Sequence, residues 1–224
     1  MTRVLVFDVN ETLLDLSALD PLFERVFGDG KVRVEWFQTM LQSAFLLTIT
    51  GPYRPFGDHF KAALALTAKR HGAEMDPNDE RAILAKVRDL PAHPEVRGAL
   101  EGLRTKGYRL AALTNSTLEV EEAQLAHAGL ADLFERALSA DSAGRLKPAP
   151  EAYLGAAREL GVQAEHIRMV AAHAWDVQGA LRAGCAAAFV ARPGALWNPL
   201  LEQPDVVGKD LQEVARRISA VDQP

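Results

Sequence analysis

The chain has 224 residues, 48% of them hydrophobic and 25% charged, with a net charge of −5, enough for one sizeable core or a core with a smaller inserted unit. Its Lys and Arg form no cluster of the kind a nucleic-acid or anionic-membrane surface needs, and the longest apolar runs, "AFLLTI" and "CAAAFVA", are too short to cross a bilayer. Cys185 is the only cysteine, so no internal disulfide forms and a reducing, cytoplasmic setting is expected.

In chain order, "RVLVFD" reads as a buried first strand ending at Asp8 rather than as a signal peptide, since it lacks a long apolar region with a cleavage site. The β pattern then stops. "LDPLFERVFG", "VEWFQTMLQSAFLLTIT", "FGDHFKAALALTAKRHG" and "DPNDERAILAKVRDL" all read as helices, and "LPAHPEV", with two prolines, as the returning linker. "YRLAALT" resumes the strands. It leads into the helix "STLEVEEAQLAHAGL", with Ser116 as N-cap and Gly129 near its end. A weaker strand, "RALSA", precedes the helix "PAPEAYLGAARELG", which starts at Pro and ends at Gly161. The strand "HIRMVAA", the helix "DVQGALRAG" and the strand "AAAFVA" follow, and the tail "SAVDQP" is expected to fray.

Strands alternating with helices predict an α/β fold with a Rossmann-like, doubly wound parallel sheet. The expected core is 1–15 with 94–224, and the helical stretch 16–93 is an inserted cap. Such an insertion lies at the C-terminal ends of the strands, where open α/β sheets bind ligands.

Polar residues just past the strands should therefore converge. The first strand delivers Asp8, Asn10 and Thr12; "YRLAALT" delivers Thr114, Asn115 and Ser116; "HIRMVAA" delivers His173 and Asp176. Lys147 precedes the "PAPEAY" helix. Together they supply a carboxylate nucleophile, a cation, hydroxyl and amide donors and a second carboxylate, a set suited to covalent catalysis. Singly, each also fits a structural role. Asp8 could cap a turn, although burying an Asp behind an apolar run without a task is costly. Lys147 could be a solvated loop lysine, Thr114 to Ser116 helix-capping residues, and Asp176 an N-cap. Trp175 could be a packing aromatic, His173 a satisfied half-buried histidine, and Cys185 a small core residue. Convergence, not any one residue, carries the functional reading.

"FDVNETLLD", "LTNS", "KPAPEAY" and "HAWD" resemble, in order, the four motifs of the haloacid dehalogenase superfamily of hydrolases. The resemblance spans essentially the whole chain, with the expected insertion between the first two motifs. Phosphatases of that superfamily hold Mg²⁺ with the nucleophile and with acidic residues of the fourth motif, and use a second Asp of the first motif as general acid. Here that second Asp is Asn10, which has no ionisable proton. Four residues before Asp176, where the phosphatases carry Asp, stands Ala172, preceded by Ala171. "AWD" and a Tyr six residues after the lysine (Trp175, Asp176 and Tyr153) are instead similar to the L-2-haloacid dehalogenases, which need no metal because a halide leaves unprotonated.

The resemblance implies that Asp8 attacks the halogen-bearing carbon, forming an ester that water then opens. Thr12, Lys147 and Asp176 would support Asp8, with Lys147 offsetting charge and Asp176 either holding Lys147 or activating the water. Thr114 would bind the substrate carboxylate, with Asn115, Asn10, Tyr153, His173 and Trp175 around it and the cap residues Phe37 and Phe56 completing the halide side. No cofactor or metal is implied. The expected partner is a small organic acid, with no nucleic acid and no membrane, and the family's habit of pairing implies a homodimer.

Three departures stand out. Asn10-Glu11 replaces the family's Tyr-Gly. Trp36 is followed by Phe37 where an Arg would contact the halide. Ala171 and His173 replace a Ser and an Asn of the fourth motif, and either His173 or Arg54 in "YRPF" is the candidate substitute for the missing guanidinium. A phosphatase of the same superfamily with an unusual metal site, and a non-catalytic protein on the same fold, are the alternatives.

Overall fold

Short, largely apolar segments build the sheet: β1 (Val4–Phe7), β2 (Leu110–Thr114), β3 (Arg136–Ser139), β4 (Ile167–Ala171), β5 (Ala186–Val190) and β6 (Val206–Gly208). The computed structural model describes residues 3–222. All six strands are parallel, in the order β3-β2-β1-β4-β5-β6. Every residue of β1, β2 and β4 is buried, as required of central strands covered on both faces. Strand order reverses at β1, so the crevice of this doubly wound sheet opens at the end of β1, where Asp8 lies. Register fixes its neighbours: Phe7 is level with Ala112 of β2 and Val170 of β4.

The strand period of two divides the core. Leu5 and Phe7 face a cluster that includes Trp36 and Phe60, whereas Val4 and Val6 face one that includes Ala152, Tyr153 and Ala180. Between β1 and the rest of the sheet come α1 (Asp20–Phe27), α2 (Val32–Thr50), α3 (Phe56–His71) and α4 (Pro77–Arg88). Trp36 anchors this helical group. It is fully buried between Phe23 and Phe60, with ring centroids at 5.2 and 5.0 Å, and its Nε1 donates to the Phe60 carbonyl at 3.2 Å. Asp76 caps α4 by accepting from the Asn78 N–H at 2.6 Å, with Pro77 in the first turn.

The chain returns through α5 (Val96–Thr105), then α6 (Leu118–His127), α7 (Pro150–Leu160), α8 (Ala174–Arg182) and α9 (Leu211–Val221). Gly179 on α8 is required by packing: a Cβ there would lie 2.5 Å from the Tyr153 hydroxyl and 2.7 Å from Pro148 Cβ. Its absence lets α8 close on the segment that carries Lys147.

Several expectations change. Thr117, not Ser116, is the N-cap of α6; the Ser116 N–H instead donates to Thr114 Oγ1 at 3.1 Å. Asp176 is not a cap either: His173 holds that place on α8, and the Asp176 side chain turns inward. The tail does not fray within the described residues. The preceding segment forms β6, and α9 is amphipathic, capped by Asp210 on the Glu213 N–H at 2.7 Å. Asp222 is buried and ion-paired with the fully buried Arg168 of β4, which also reaches Asp205 at 2.5 Å. Gln223 and Pro224 lie outside the described residues. Among those residues no helix is long and apolar enough to cross a membrane.

Candidate active site

The turn after β1 folds back tightly, with the Leu13 and Leu14 N–H groups donating to the Val9 carbonyl at 2.9 and 3.0 Å. This brings Thr12 under Asp8. Thr12 Oγ1 donates to Asp8 Oδ2 at 2.6 Å and accepts from the Ala172 N–H at 2.9 Å, so the hydroxyl has one available orientation. Arg192 fixes the same turn, donating through Nε and Nη2 to the Thr12 carbonyl at 3.0 and 2.7 Å while its Nη1 pairs with Glu95 at 2.9 Å. Glu11 takes φ +61°, the only non-glycine at positive φ among the described residues. A side chain in this left-handed region costs about 1–2 kcal/mol, which explains why the resembling family carries Gly there.

Lys147 is fully buried and spends all three protons: on Asp8 Oδ1 at 2.9 Å, the Leu113 carbonyl at 2.9 Å and Asp176 Oδ2 at 2.7 Å. Asn115 pins its backbone, accepting from the Lys147 N–H at 2.7 Å and donating to the Lys147 carbonyl at 3.2 Å. Asp176 Oδ1 accepts from the Tyr153 hydroxyl at 2.6 Å. Both Asp176 oxygens are therefore committed.

Opposite Lys147 stands His173. Its Nδ1–H donates to Asp8 Oδ2 at 3.2 Å and its Nε2–H to Glu11 Oε2 at 3.1 Å. The ring is stacked between Phe37 and Trp175, with centroids at 5.7 and 5.1 Å. Behind Glu11, Arg33 approaches Oε1 at 3.4 Å and holds Asp20 at 2.5 Å.

The electrostatics follow. Burial pushes the Asp8 carboxyl up, but Lys147 and then His173 more than reverse this and hold it well below the usual carboxylate range. Burial disfavours the His173 imidazolium, but Asp8 and Glu11 override that and raise it to about 9. Lys147, also opposed by burial, is raised by Asp176 and Asp8 and stays charged. Burial raises Asp176 against the opposing pull of Lys147. At neutral pH Asp8 is thus an ionised carboxylate between two cations.

A cavity of about 20 Å³ lies over Asp8, room for about one water molecule. Asn10, Phe37, Phe56, Thr114, Asn115, Lys147, His173 and Trp175 line it with Asp8, as the sequence suggests, and Leu41 joins them. The Asn10 amide oxygen accepts from Gln124 Nε2 at 3.0 Å. Thr12 and Asp176 sit just behind, on Asp8 and Lys147. Tyr153 departs from expectation: it is buried behind Asp176 and does not reach the cavity wall, because its hydroxyl is drawn to the Asp176 carboxylate. Arg54 is exposed and lines a separate cavity of about 80 Å³ with Tyr53, His59 and Arg145. Both His173 nitrogens are spent on carboxylates, so neither residue offers a free N–H where the family's cap Arg would stand. Sequence reasoning did not assign Leu41, Gln124 or Arg192, or a partner for Glu11; Arg192 meets Thr12 across 180 positions, with no local signal.

The residues do not fit a Mg²⁺ site. Lys147 occupies the place between Asp8 and Asp176 that a cation would take, Thr12 and His173 hold the other Asp8 oxygen, and Ala171 and Ala172 offer no side-chain oxygen. No group of three His, Cys, Asp or Glu among the described residues is arranged to hold a metal.

Comparison with known proteins agrees with this architecture. The model of the haloacid dehalogenase-like hydrolase family matches residues 2–184. Haloacetate dehalogenase H-2 of Moraxella sp. (strain B) is 33% identical, over 91% of this chain and 92% of its own length. The crystal structure of the L-2-haloacid dehalogenase RSc1362 superposes with a TM-score of 0.93 at 29% identity, over 97% of this chain and 99% of that one. That of the Xanthobacter autotrophicus L-2-haloacid dehalogenase with chloropropionic acid covalently bound gives 0.91 at 26% identity, over 98% and 99%. With the motif order, the reversal of strand order at Asp8 and these likenesses in agreement, the chain belongs to the haloacid dehalogenase-like hydrolases.

Proposed function

We propose that this protein is a metal-independent hydrolase that displaces halide from a short 2-haloacid through an ester on Asp8. One observation carries the reading: Asp8 is held ionised, while the neighbouring position that must donate a proton to an alcohol leaving group is the Asn10 amide, committed to Gln124. A halide leaves as an anion and needs no such proton.

Asp8 attacks the carbon bearing the halogen; the new C–O bond forms as the C–X bond breaks, and X⁻ departs with its electron pair. Lys147 and Thr12 hold the carboxylate for attack, and Lys147 stabilises charge at the ester carbonyl in the second half-reaction. Asp176, both oxygens engaged, acts by fixing Lys147. Thr114 and Asn115 take the substrate carboxylate beside the start of α6, where unpaired N–H groups favour an anion. Phe37, Phe56 and Trp175 give the halogen an apolar wall. Residues 16–93 act as the cap over the core formed by 1–15 and 94–224. A cytoplasmic setting suits the buried Cys185, whose thiol burial pushes up to about 12 and so keeps unreactive.

The test is halide release from chloro-, bromo- and fluoroacetate and from 2-chloropropionate, with and without EDTA. Release that survives EDTA and vanishes in Asp8→Asn is expected. Single turnover in heavy-oxygen water should label the Asp8 carboxylate. Label found only in the product, or phosphate-ester hydrolysis abolished by EDTA, would overturn the reading.

A further inference from the structure

The site over Asp8 has no cation to spare for an arriving acid. Lys147 spends all its protons, and both His173 nitrogens are engaged. An anionic substrate must therefore approach an anionic nucleophile on a chain whose net charge is −5. A second cavity beside the first has the opposite character.

That cavity is about 80 Å³, against about 20 Å³ over Asp8, and has room for several water molecules. It lies one helical turn further along both helices of the seam. Leu41 of α2 and Phe56 of α3 line the Asp8 cavity, whereas Ala44 and His59 line this one. On the core side Lys147 lines the first, and Arg145 and Leu146 just before it line the second. The two cavities are thus neighbours along one seam.

Three donors meet in the larger cavity. Arg54, from the link between α2 and α3, is exposed and makes no ion pair among the described residues. Arg145 is exposed, and its carboxylate neighbour is Glu151, 3.8 Å from Nε, which leaves the outer end of the guanidinium open. His59 is 3% exposed, yet its Nε2 has no hydrogen-bond partner. Burial holds this ring neutral at pH 7 against Asp58 and the Arg54 carbonyl, and neither of them bonds Nε2. Ser43 Oγ lies 2.8 Å from Nδ1 and makes no other hydrogen bond among the described residues. The serine proton therefore goes to Nδ1, and the ring's own proton stands on Nε2 as an unused donor. A buried donor without a partner costs about 1–3 kcal/mol, which a bound acceptor removes. Asp141, the remaining carboxylate beside the cavity, is occupied by the Tyr53 hydroxyl.

We propose that the cavity between Arg54, Arg145 and His59 is a capture site for the carboxylate of the incoming haloacid, holding the substrate at the seam before it reaches Asp8.

The inference rests on the haloacid reading and deepens it. Two guanidinium groups and a buried N–H suit a ligand with two charged oxygens to share. The arginines supply attraction at the mouth, where a cationic cleft concentrates anions against the field of the whole chain. The His59 N–H adds a directed bond deeper in. Passage from there to Thr114 and Asn115 exchanges one set of carboxylate donors for another and brings the halogen-bearing carbon to Asp8. No covalent bond changes during capture.

The test uses Arg54→Gln, Arg145→Gln and Arg54→Lys, all at exposed positions, so the core is left intact. With bromoacetate at low salt, the two Gln changes together should lower kcat/KM by about 10-fold, the low end for electrostatic focusing. The loss should lie in KM, with kcat unchanged, and Arg54→Lys should keep most of the wild-type value. Added salt should narrow the gap, because screening weakens the attraction. A second measurement needs no turnover. Acetate has the carboxylate without the halogen. In protein with isotope-labelled histidine it should shift, saturably, the ring N–H signal of the histidine that contacts Ser43, and the double Gln variant should lose that shift. Unchanged kcat/KM in the double variant, a loss carried by kcat alone, or a His59 signal that acetate does not move would overturn the capture site. Absence of halide release from every haloacid, with acetate still titrating His59, would overturn the reaction and leave the anion site standing.

Discussion

Glu121 offers a sharp test of the electrostatics around the site. It lies on α6 without accessible surface, and neither carboxyl oxygen has a hydrogen-bond partner. Burial, opposed by Lys147 and reinforced by Asp8, pushes it from the ordinary 4.5 to about 9. The sign follows from proton counting. Above pH 4.5 the unfolded chain loses this proton and the folded chain keeps it, so stability falls as pH rises from 4.5 towards 9. At pH 7 the gap is about 2.5 units, and at about 1.4 kcal/mol per unit the folded state is disfavoured by about 3 kcal/mol. Glu121→Gln preserves the shape and abolishes the titration. It should stabilise the protein by about 3 kcal/mol at pH 7 and by less than about 1 kcal/mol at pH 5. In urea, with a slope of about 3 kcal/mol per molar for a chain of this size, the midpoint moves up by about 1 M at pH 7. Equal shifts at both pH values, or none, would show that Glu121 is not held neutral.

Three further outcomes are expected. Lys147→Met leaves Asp8 and Asp176 buried without their cation; it should cost about 3–5 kcal/mol in chemical unfolding and lower halide release by at least about 10³-fold. Arg192→Ala removes two donors from the Thr12 carbonyl and the partner of Glu95, and should cost about 1–3 kcal/mol in thermal unfolding while lowering kcat. The pH dependence of kcat/KM reports the free enzyme: the His173 charge is fully present below its ordinary 6.5 and is lost as pH rises through about 9, so capture of an anionic substrate should weaken above about pH 9 and His173→Asn should lack that decline.

How much was legible depended on the range of the interaction. β1, β2, β4 and β5 announce themselves as predominantly apolar runs, because central strands buried on both faces are rich in apolar residues. β6 is three residues at the sheet edge, with too little pattern to read. The tail looks polar, yet Asp222 is held by Arg168, a charge in the middle of an otherwise apolar strand whose partners lie far along the chain. In the site, Asp8, Lys147 and Asp176 were readable because motif order and the parallel sheet bring strand ends together. The orientation of Tyr153 was not, because six residues of spacing cannot say which face of α7 meets Asp176. Glu11 stood out only as a departure from a glycine; that its carboxylate meets His173 is a product of the turn's geometry.

The ring stack around His173 also joins two parts of the chain mechanically. Phe37 and Phe45 belong to α2, whereas His173 caps α8 and Trp175 lies in its first turn. Lifting the helical insertion to admit a substrate must part Phe37 from His173 and Phe45 from Trp175, each contact worth about 0.5–1.5 kcal/mol beyond its buried area. The ring nearest the nucleophile is therefore held between α2 of the helical insertion and Trp175 of α8, so a displacement of α2 would loosen that ring as well as uncover Asp8.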